Sequence, residues 1–224
     1  MNLFPINLDI RGRKAVIVGG GSVGQRKCRS LLDAEVAVTV IALDATTELR
    51  SLADQGLITL LLRAWQPGDL DGACLVFATA NDRGVNHLVT EEAKRLGIPV
   101  CVADKPEEGT FTSPSVVRRG DLLLTVSTGG RSPALARRIR EDLEDRYGPE
   151  YAAIVACCGA FREKLLTEQG ESAYNKQLFN ELLDRFLPRI PSTDDADDRN
   201  RLLRELLGSD DSPERLAEDT EEPS

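Results

Sequence analysis

The chain has 224 residues, 41% of them hydrophobic, which is enough for one large domain or for one domain with a small accessory unit. Its net charge of −9 argues against nucleic acid as a partner, although residues 189–224, with 12 acidic and 5 basic residues, leave only −2 for the rest. Because no apolar run approaches the roughly 20 residues that span a bilayer, and no secretory signal precedes residue 14, we expect a cytoplasmic protein that contacts no membrane.

Residues 14–102 alternate short β-branched runs with segments that carry apolar residues at helical spacing. The runs predict strands over residues 14–18, 36–41, 57–62, 74–78 and 99–102. The segments between them predict helices over residues 21–34, 46–55 and 81–96. This alternation is typical of a parallel sheet covered on both faces. The predicted fold class is therefore α/β, with a Rossmann-type doubly wound sheet in a domain over residues 1–110.

The pattern changes after residue 110. Residues 111–119 and 122–127 predict two further strands, and residues 132–147 predict a helix. Ser132 is a favoured helix cap, and Pro133 is tolerated at the first helical position because its missing N–H would be unpaired there. We therefore assign residues 111–148 to a small α+β region, 149–188 to a C-terminal helical unit, and 189–224 to an acidic tail that we expect to be disordered.

The cysteines contain no CxxC pair and lie mostly in apolar segments. We interpret them as buried, reduced thiols rather than as a metal cluster or a disulfide framework. They are Cys28, Cys74, Cys101, Cys157 and Cys158.

A Gly-x-Gly-x-x-Gly motif, formed by Gly19, Gly21 and Gly24, lies where the first predicted strand meets the first predicted helix. In such a motif the first glycine permits a tight turn, the second lets the backbone approach a pyrophosphate, and the third lets the helix pack closely on the strand. The N–H groups of Ser22 and Val23, at the start of the helix, would face the phosphates. The motif therefore predicts a dinucleotide site.

An acidic residue about 20 positions after this motif can accept a hydrogen bond from a ribose hydroxyl. Asp44 fits that spacing, and Leu43 precedes it at the end of the second predicted strand. The alternative is that Asp44 caps the helix that begins near Thr46. A carboxylate at this position would repel a ribose 2′-phosphate, so the sequence favours NAD over NADP.

Two further turns lie at the carboxyl edge of the predicted sheet, where open parallel sheets bind ligands. Small and polar residues that would meet the nicotinamide half of the cofactor follow the fourth strand: Thr79, Ala80 and Asn81. The alternative is a plain turn capped by Asn81 or Asp82. Asp104 follows the fifth strand and could take a proton while the nicotinamide takes a hydride. Its alternative is a turn-forming aspartate paired with Lys105.

A glycine-rich turn joins the last predicted strand to the last predicted helix. Its backbone N–H groups and the nearby arginines could bind a carboxylate-rich substrate. The residues expected to do so are Ser127, Thr128, Gly129, Gly130, Arg131, Ser132 and Arg137. The alternative is an ordinary glycine turn before a capped helix, whose arginines at positions 137, 138 and 140 form a solvated face.

The order of these motifs resembles the precorrin-2 dehydrogenase and sirohydrochlorin ferrochelatase family, which forms the N-terminal module of siroheme synthases. No single motif is as specific as the whole set. The matching residues are Phe4-Pro5-Ile6, Val18 to Gly21, Arg26-Lys27, Ala78-Thr79, Asn86, Ala103-Asp104, Pro114-Ser115 and Ser127 to Arg137.

The resemblance implies NAD-dependent oxidation of precorrin-2 to sirohydrochlorin, with Asp104 as the general base. It also implies a homodimer to which the region after residue 110 contributes, and C-terminal helices that shape a tetrapyrrole cleft. Some members also insert ferrous iron into sirohydrochlorin, so a ferrochelatase activity with iron as substrate is a second possibility. The sequence shows no metal-ligand cluster, and we expect its one histidine, His87, to be a partly exposed helix residue. A third possibility is a non-catalytic partner protein of the same fold that binds NAD or a tetrapyrrole.

Overall fold

The computed structural model describes residues 3–156, 158 and 159. The chain forms two compact units. The first contains Met1–Ser113 and Gly129–Arg131, and the second contains Pro114–Thr128 and the described residues from Ser132 onward. The four-part division expected from the sequence stays a prediction, since most of residues 149–224 lie outside the described part. Among the described residues, no helix is long and apolar enough to cross a membrane.

A five-stranded sheet forms the centre of the first unit. Its strands are β1 (Lys14–Gly20), β2 (Ala37–Ala45), β3 (Thr59–Leu62), β4 (Leu75–Ala78) and β5 (Val100–Val102). The spatial order is β3-β2-β1-β4-β5, and every neighbouring pair is parallel. The chain runs from β1 to one edge of the sheet and then crosses back to β4 and β5 on the other side of β1. The prediction of a Rossmann-type, doubly wound α/β fold is confirmed.

Helices cover both faces of this sheet. They are α1 (Ser22–Leu32), α2 (Thr47–Asp54) and α3 (Arg83–Arg95). Successive residues of a strand point to opposite faces, so Ile17 of β1 packs with Cys28 and Leu49 of α1 and α2, while Val16 packs with Val89 of α3. All five of these side chains are fully buried. The continuous apolar runs that predicted the strands therefore build two cores, one on each face of the sheet.

One predicted strand begins later than expected. Residues 111–114 are not strand, and β6 begins at Ser115. The reason is that Phe111 belongs to the first unit, where its ring meets that of Phe77 edge to face at a centroid distance of 5.4 Å. The backbone N–H groups of Thr110 and Phe111 both donate to the carbonyl of Val100 in β5. In the sequence, Phe111 could not be distinguished from an apolar strand residue, and the predicted strand therefore began too early.

The second unit contains a hairpin followed by a helix. Its elements are β6 (Ser115–Arg119), β7 (Leu122–Val126) and α4 (Pro133–Arg146), with β6 and β7 antiparallel. Ser132 caps α4 by accepting a hydrogen bond from the N–H of Leu135 at 3.3 Å, and Pro133 occupies the first turn, as predicted. The guanidinium of Arg119 donates to the carbonyl of Tyr147 at 2.9 Å and so ties β6 to the end of α4. The helices expected after residue 151 lie mostly outside the described residues.

The described cysteines are free thiols, as expected, but only Cys28 is buried, whereas Cys74, Cys101 and Cys158 are partly exposed. Burial raises the pKa of the Cys28 thiol to about 11, so this thiol stays protonated at neutral pH. No group of three or more residues suited to hold a metal ion occurs in the described part of the chain. Cys157 lies outside that part.

We expect Gly19→Ala to destabilise the protein strongly. Gly19 has a φ of +125°, which L side chains rarely adopt, and an added Cβ would collide with the backbone carbonyl of Thr79. The expected loss is about 3 kcal/mol or more of the free energy of unfolding, measured by denaturant titration. Gly21→Ala is the control, because Gly21 has a φ of −79° and, its chain neighbours apart, no atom of the described residues lies within 4 Å of its Cβ position. Equal unfolding midpoints for the two variants would contradict this account of the turn.

Candidate functional site

A cleft of about 520 Å³ opens at the carboxyl edge of the parallel sheet. The turns that follow β1 and β4 and the end of β2 provide most of its lining. These residues include Gly19, Gly20, Gly21, Leu43, Asp44, Ala45, Thr79, Ala80, Asn81 and Asp82. Ligands of doubly wound sheets bind at this edge, at the strand where the order reverses, which is β1 in this sheet. The structure thus brings three of the sequence-predicted segments together in one cleft.

The glycine turn after β1 is closely packed except at one position. A Cβ on Gly24 would collide with the carbonyl of Gly19, just as one on Gly19 would collide with Thr79. The hydroxyl of Thr79 donates to the carbonyl of Val18 at 3.1 Å and holds the β4 turn against β1. At Gly21, by contrast, nothing in the described part of the chain other than its two neighbours lies within 4 Å of the Cβ position. The turn therefore leaves open space over the backbone at the position where the motif expects a pyrophosphate.

Helix α1 begins directly after this open position. Gly21 is its N-cap and has no side chain that could accept from the first-turn N–H groups. The first turn, which begins with Ser22 and Val23, contains no acidic residue. A helix N-terminus with unpaired N–H groups and no negative side chain attracts an anion. The residues present therefore fit the diphosphate of a dinucleotide.

Asp44 reaches the cleft as an ionised, exposed carboxylate. Its side chain is 88% exposed, and its Oδ1 accepts hydrogen bonds from the N–H of Ala45 at 2.8 Å and from Nη2 of Arg50 at 2.6 Å. The hydrogen bond from Arg50, followed by that from Ala45, holds the pKa of Asp44 below its usual value. The alternative that Asp44 caps α2 is wrong, because Thr46 is the cap and accepts from the N–H of Leu49 at 3.3 Å.

Asp104 is connected to the cleft through one buried amide. Asp104 is exposed just after β5, and its Oδ1 accepts a hydrogen bond from Nδ2 of Asn86 at 2.9 Å. The same Nδ2 donates to the carbonyl of Ala80, while Oδ1 of Asn86 accepts from the N–H of Ala80, both at 2.9 Å. Ala80 lies in the turn after β4, formed by Thr79, Ala80 and Asn81, which lines the cleft and which we call the cofactor turn. Asn86 therefore fixes the Asp104 carboxylate relative to this turn. The alternative pairing of Asp104 with Lys105 is wrong, since Lys105 pairs with Glu108 at 3.0 Å.

In the sequence, Asn86 stands out only as one of the residues that match the family, although its position on α3 also indicated a structural role. The buried positions of α3 are Asn86, Val89, Thr90 and Ala93, which is the spacing of a core-facing helical stripe. Asn86 is only 2% exposed. A polar residue on such a stripe must find hydrogen bonds inside the protein, so it points to a buried network. Asp82 does cap α3, as one alternative held, and it also lines the cleft, so capping and cofactor contact are compatible.

Trp65 is a cleft residue that the sequence did not single out. It is the chain's one tryptophan, it follows β3, and it lines the cleft. Its indole N–H is buried and has no hydrogen-bond partner in the described part of the chain. A ligand in the cleft would therefore change the surroundings of the protein's main fluorophore, which gives a direct readout of binding.

The contacts of the glycine-rich turn between β7 and α4 are those of the alternative interpretation, an ordinary glycine turn before a capped helix. The hydroxyl of Thr128 donates to the carbonyl of Ser132 at 3.0 Å and accepts from its N–H at 3.1 Å. The helix arginines lie in ion pairs, Arg137 with Glu141, Arg138 with Asp142 and Arg140 with Glu144, of which the first two arginines are exposed and the third is partly buried. Arg131 is exposed. Exposed pairs contribute at most about 1 kcal/mol, so a substrate carboxylate could compete for these arginines. Anion binding by this turn, including Ser127, Gly129 and Gly130, stays a prediction.

The comparisons with known proteins agree with this architecture. A family model for NAD(P)-binding proteins matches residues 6–115, and the model of the sirohaem biosynthesis protein central region matches residues 119–146. The solved structure of SirC, a precorrin-2 dehydrogenase, has a TM-score of 0.67 and 25% identity, and the match covers 92% of this chain and 100% of that one. The chain belongs to the siroheme synthase and precorrin-2 dehydrogenase family. NAD(P) is thus the cofactor class of the first unit.

Curated members of the family extend beyond the matched region. The siroheme synthase of Methylococcus capsulatus is 36% identical over 217 residues, which cover 97% of this chain and 46% of that protein. The siroheme synthase of Methylobacillus flagellatus is 39% identical over 163 residues, which cover 73% of this chain and 35% of that protein. The chain therefore spans less than half the length of these relatives.

We expect Gly21→Ala to weaken dinucleotide binding in a folded protein. The added methyl group occupies the open space beside the helix N-terminus, where a Gly-x-Gly-x-x-Gly motif approaches the pyrophosphate. The Kd for NADH should rise about tenfold or more, as measured by the change in Trp65 fluorescence. Ser30→Ala, an exposed change near the other end of α1, should leave the Kd unchanged. A Gly21→Ala protein that binds NADH with wild-type affinity would contradict the assigned phosphate position.

We expect Asn86→Asp to make stability more dependent on pH. The change places two carboxyl groups at hydrogen-bond distance, and such a pair retains one proton to a higher pH than a lone carboxyl does. The shared proton is absent from the unfolded chain, so the free energy of unfolding should fall by about 1–3 kcal/mol as pH rises from acid to neutral. Denaturant titrations across this range measure it. Asn7→Asp, which adds the same charge at an exposed position, is the control, and equal pH dependence of the two variants would contradict the network.

Proposed function

We propose that this protein is an NAD-dependent dehydrogenase that oxidises precorrin-2 to sirohydrochlorin in siroheme biosynthesis. The observation that carries the proposal is the hydrogen-bonded path from Ala80, in the cofactor turn, through Asn86 to the carboxylate of Asp104. Precorrin-2 dehydrogenase is the activity named for the solved structure that this chain matches over that structure's whole length. The cytoplasmic location expected from the sequence stays a prediction.

The oxidation removes two electrons and two hydrogens from the substrate, one as a hydride and the other as a proton. NAD, when bound, accepts the hydride on its nicotinamide ring. The proton requires a base close to the same edge of the sheet, and Asp104 is the exposed carboxylate that Asn86 ties to the cofactor turn. Oδ1 of Asp104 accepts the amide N–H of Asn86, while Oδ2 has no hydrogen-bond partner among the described residues. The proton is thus received at Oδ2, and the amide fixes the direction in which this oxygen points.

The choice of NAD within the NAD(P) class rests on Asp44. Its carboxylate is ionised and 88% exposed, and it lines the cleft. An ionised carboxylate accepts a hydrogen bond from a ribose hydroxyl, whereas it repels a 2′-phosphate.

The proposals for substrate binding and assembly are those expected from the sequence. The carboxylates of the tetrapyrrole are assigned to the turn over residues 127–132 and to Arg137, and the protein is proposed to be a homodimer.

Asp104→Asn should abolish most of the oxidation without affecting cofactor binding. The amide keeps the shape of the side chain but cannot accept the proton, so the rate of NADH formation with precorrin-2 should fall about 10²-fold or more. The Kd for NADH, followed by Trp65 fluorescence, should stay within about twofold of wild type because Asp104 is not among the residues that line the cleft. Glu107→Gln removes an exposed acid from the same loop and should leave the rate unchanged.

The same assay separates the alternatives left open by the sequence. A folded wild-type protein that binds NADH but forms none from precorrin-2 and NAD would be a non-catalytic binding protein, and the proposed oxidation would be wrong. Ferrous iron added after oxidation is complete tests the ferrochelatase possibility through the loss of the sirohydrochlorin spectrum. Equal rates for wild-type and Asp104→Asn protein in the oxidation would remove Asp104 as the base.

A further inference from the structure

Two arginines lie beside the cofactor cleft, and they are held in different ways. Arg63 lines the cleft, but its Nη1 and Nη2 both donate to the carboxylate of Asp69, at 2.7 and 2.6 Å, and Asp69 is not part of the lining. Arg50, in the first turn of α2, donates through Nη2 to Asp44, which is part of the lining. Arg63 is therefore paired with Asp69, which lies outside the cleft lining. Arg50 is paired with Asp44, the acid that we assign to the ribose.

The contacts of Asp44 leave one oxygen for a ligand. Oδ1 accepts from both Ala45 and Arg50, while Oδ2 has no hydrogen-bond partner among the described residues. Arg50 is itself anchored, because its Nε donates to the carbonyl of Ala45 at 3.2 Å. The side chain of Asp44 is 88% exposed and would otherwise be free to rotate. The pair with Arg50 thus selects one orientation of the carboxylate.

The same pair places a guanidinium within hydrogen-bond distance of the ribose acid. A guanidinium binds phosphate oxygens through two parallel N–H groups, which makes arginine a preferred ligand for a 2′-phosphate. While Asp44 is present, its carboxylate accepts the hydrogen bond of Nη2. The negative charge of the carboxylate also repels the phosphate. Removing that charge without removing Arg50 would leave the guanidinium to the ligand.

We propose that Arg50 is a second specificity-determining residue of the cofactor site. Paired with Asp44 it orients the carboxylate toward the ribose hydroxyl of NAD, and released from Asp44 it binds the 2′-phosphate of NADP. The inference rests on the proposed function of the cleft as a dinucleotide site. It assigns the selectivity for NAD to the pair rather than to the acid alone.

Fluorescence titration of Trp65 with NADH and with NADPH tests the pair without any need for turnover. Asp44→Asn should raise the Kd for NADH about tenfold and lower that for NADPH about tenfold, the effect of one charge-assisted hydrogen bond lost and one gained. Arg50→Gln alone should raise the Kd for NADH about threefold and leave NADPH binding weak. The double variant, with both changes, should lose the gain in NADPH affinity.

Matched controls separate this mechanism from a general effect of charge. Asp54→Asn removes an exposed acid from the other end of α2, and Arg95→Gln removes an exposed arginine from α3, so neither should change the Kd for either dinucleotide. Binding of NADPH by the double variant as tightly as by Asp44→Asn would overturn the role of Arg50. A wild-type protein that binds neither dinucleotide would remove the proposed function together with this inference, whereas tight NADH binding with no gain for NADPH in Asp44→Asn would remove the inference alone.

Discussion

Three hydrogen bonds from one buried amide fix the geometry on which the proposed chemistry depends. Asn86 makes two of them with the backbone of Ala80 and the third with the carboxylate of Asp104. A buried amide without partners costs several kcal/mol relative to water, so the stripe position of Asn86 is tolerated only because the amide is paired. The register of β5 on β4, in which Ala103 N–H donates to the Ala78 carbonyl, then places Asp104 where that amide can reach it. Sheet register and a single side chain together set the position of Asp104, the proposed base.

Local patterns predicted those features whose physical cause is local. The glycine turn after β1, the cap at Ser132 and the continuous apolar run of β1 all follow from residues that are neighbours in the chain, and the structure confirms each of these structural predictions. The packing of Phe111 on Phe77 and the pairing of Asp104 with Asn86 join residues 34 and 18 positions apart, so spacing along the chain could not show them. Asp44 illustrates the intermediate case. Its place beside the cleft followed from the motif, whereas the role of Thr46 as the cap required the backbone of α2.

The charges of α4 show why an arginine-rich helix is weak evidence for an anion site. Arg137, Arg138 and Arg140 each have an acidic residue four positions further along, which is the favourable spacing for an ion pair on one helix face. The pairs account for the composition of the helix without any ligand. They do not exclude one, since exposed pairs are weak and exchange readily. The catalytic proposal therefore rests on the first unit, where buried contacts with few alternatives define the geometry.

The two acids assigned to the ligand are held by the same device. Asp44 and Asp104 are both exposed carboxylates at the edge of the sheet, and each is oriented through Oδ1 by a side chain that is also bonded to the backbone of the cleft. In each case Oδ2 is left for the ligand. Exposed carboxylates sample several rotamers, and a reacting or binding oxygen that must first be ordered weakens the interaction it makes. Arg50 and Asn86 supply this order before the ligand arrives. We therefore expect substitution of Arg50 to lower the affinity and selectivity for the dinucleotide, and substitution of Asn86 to lower the rate of oxidation.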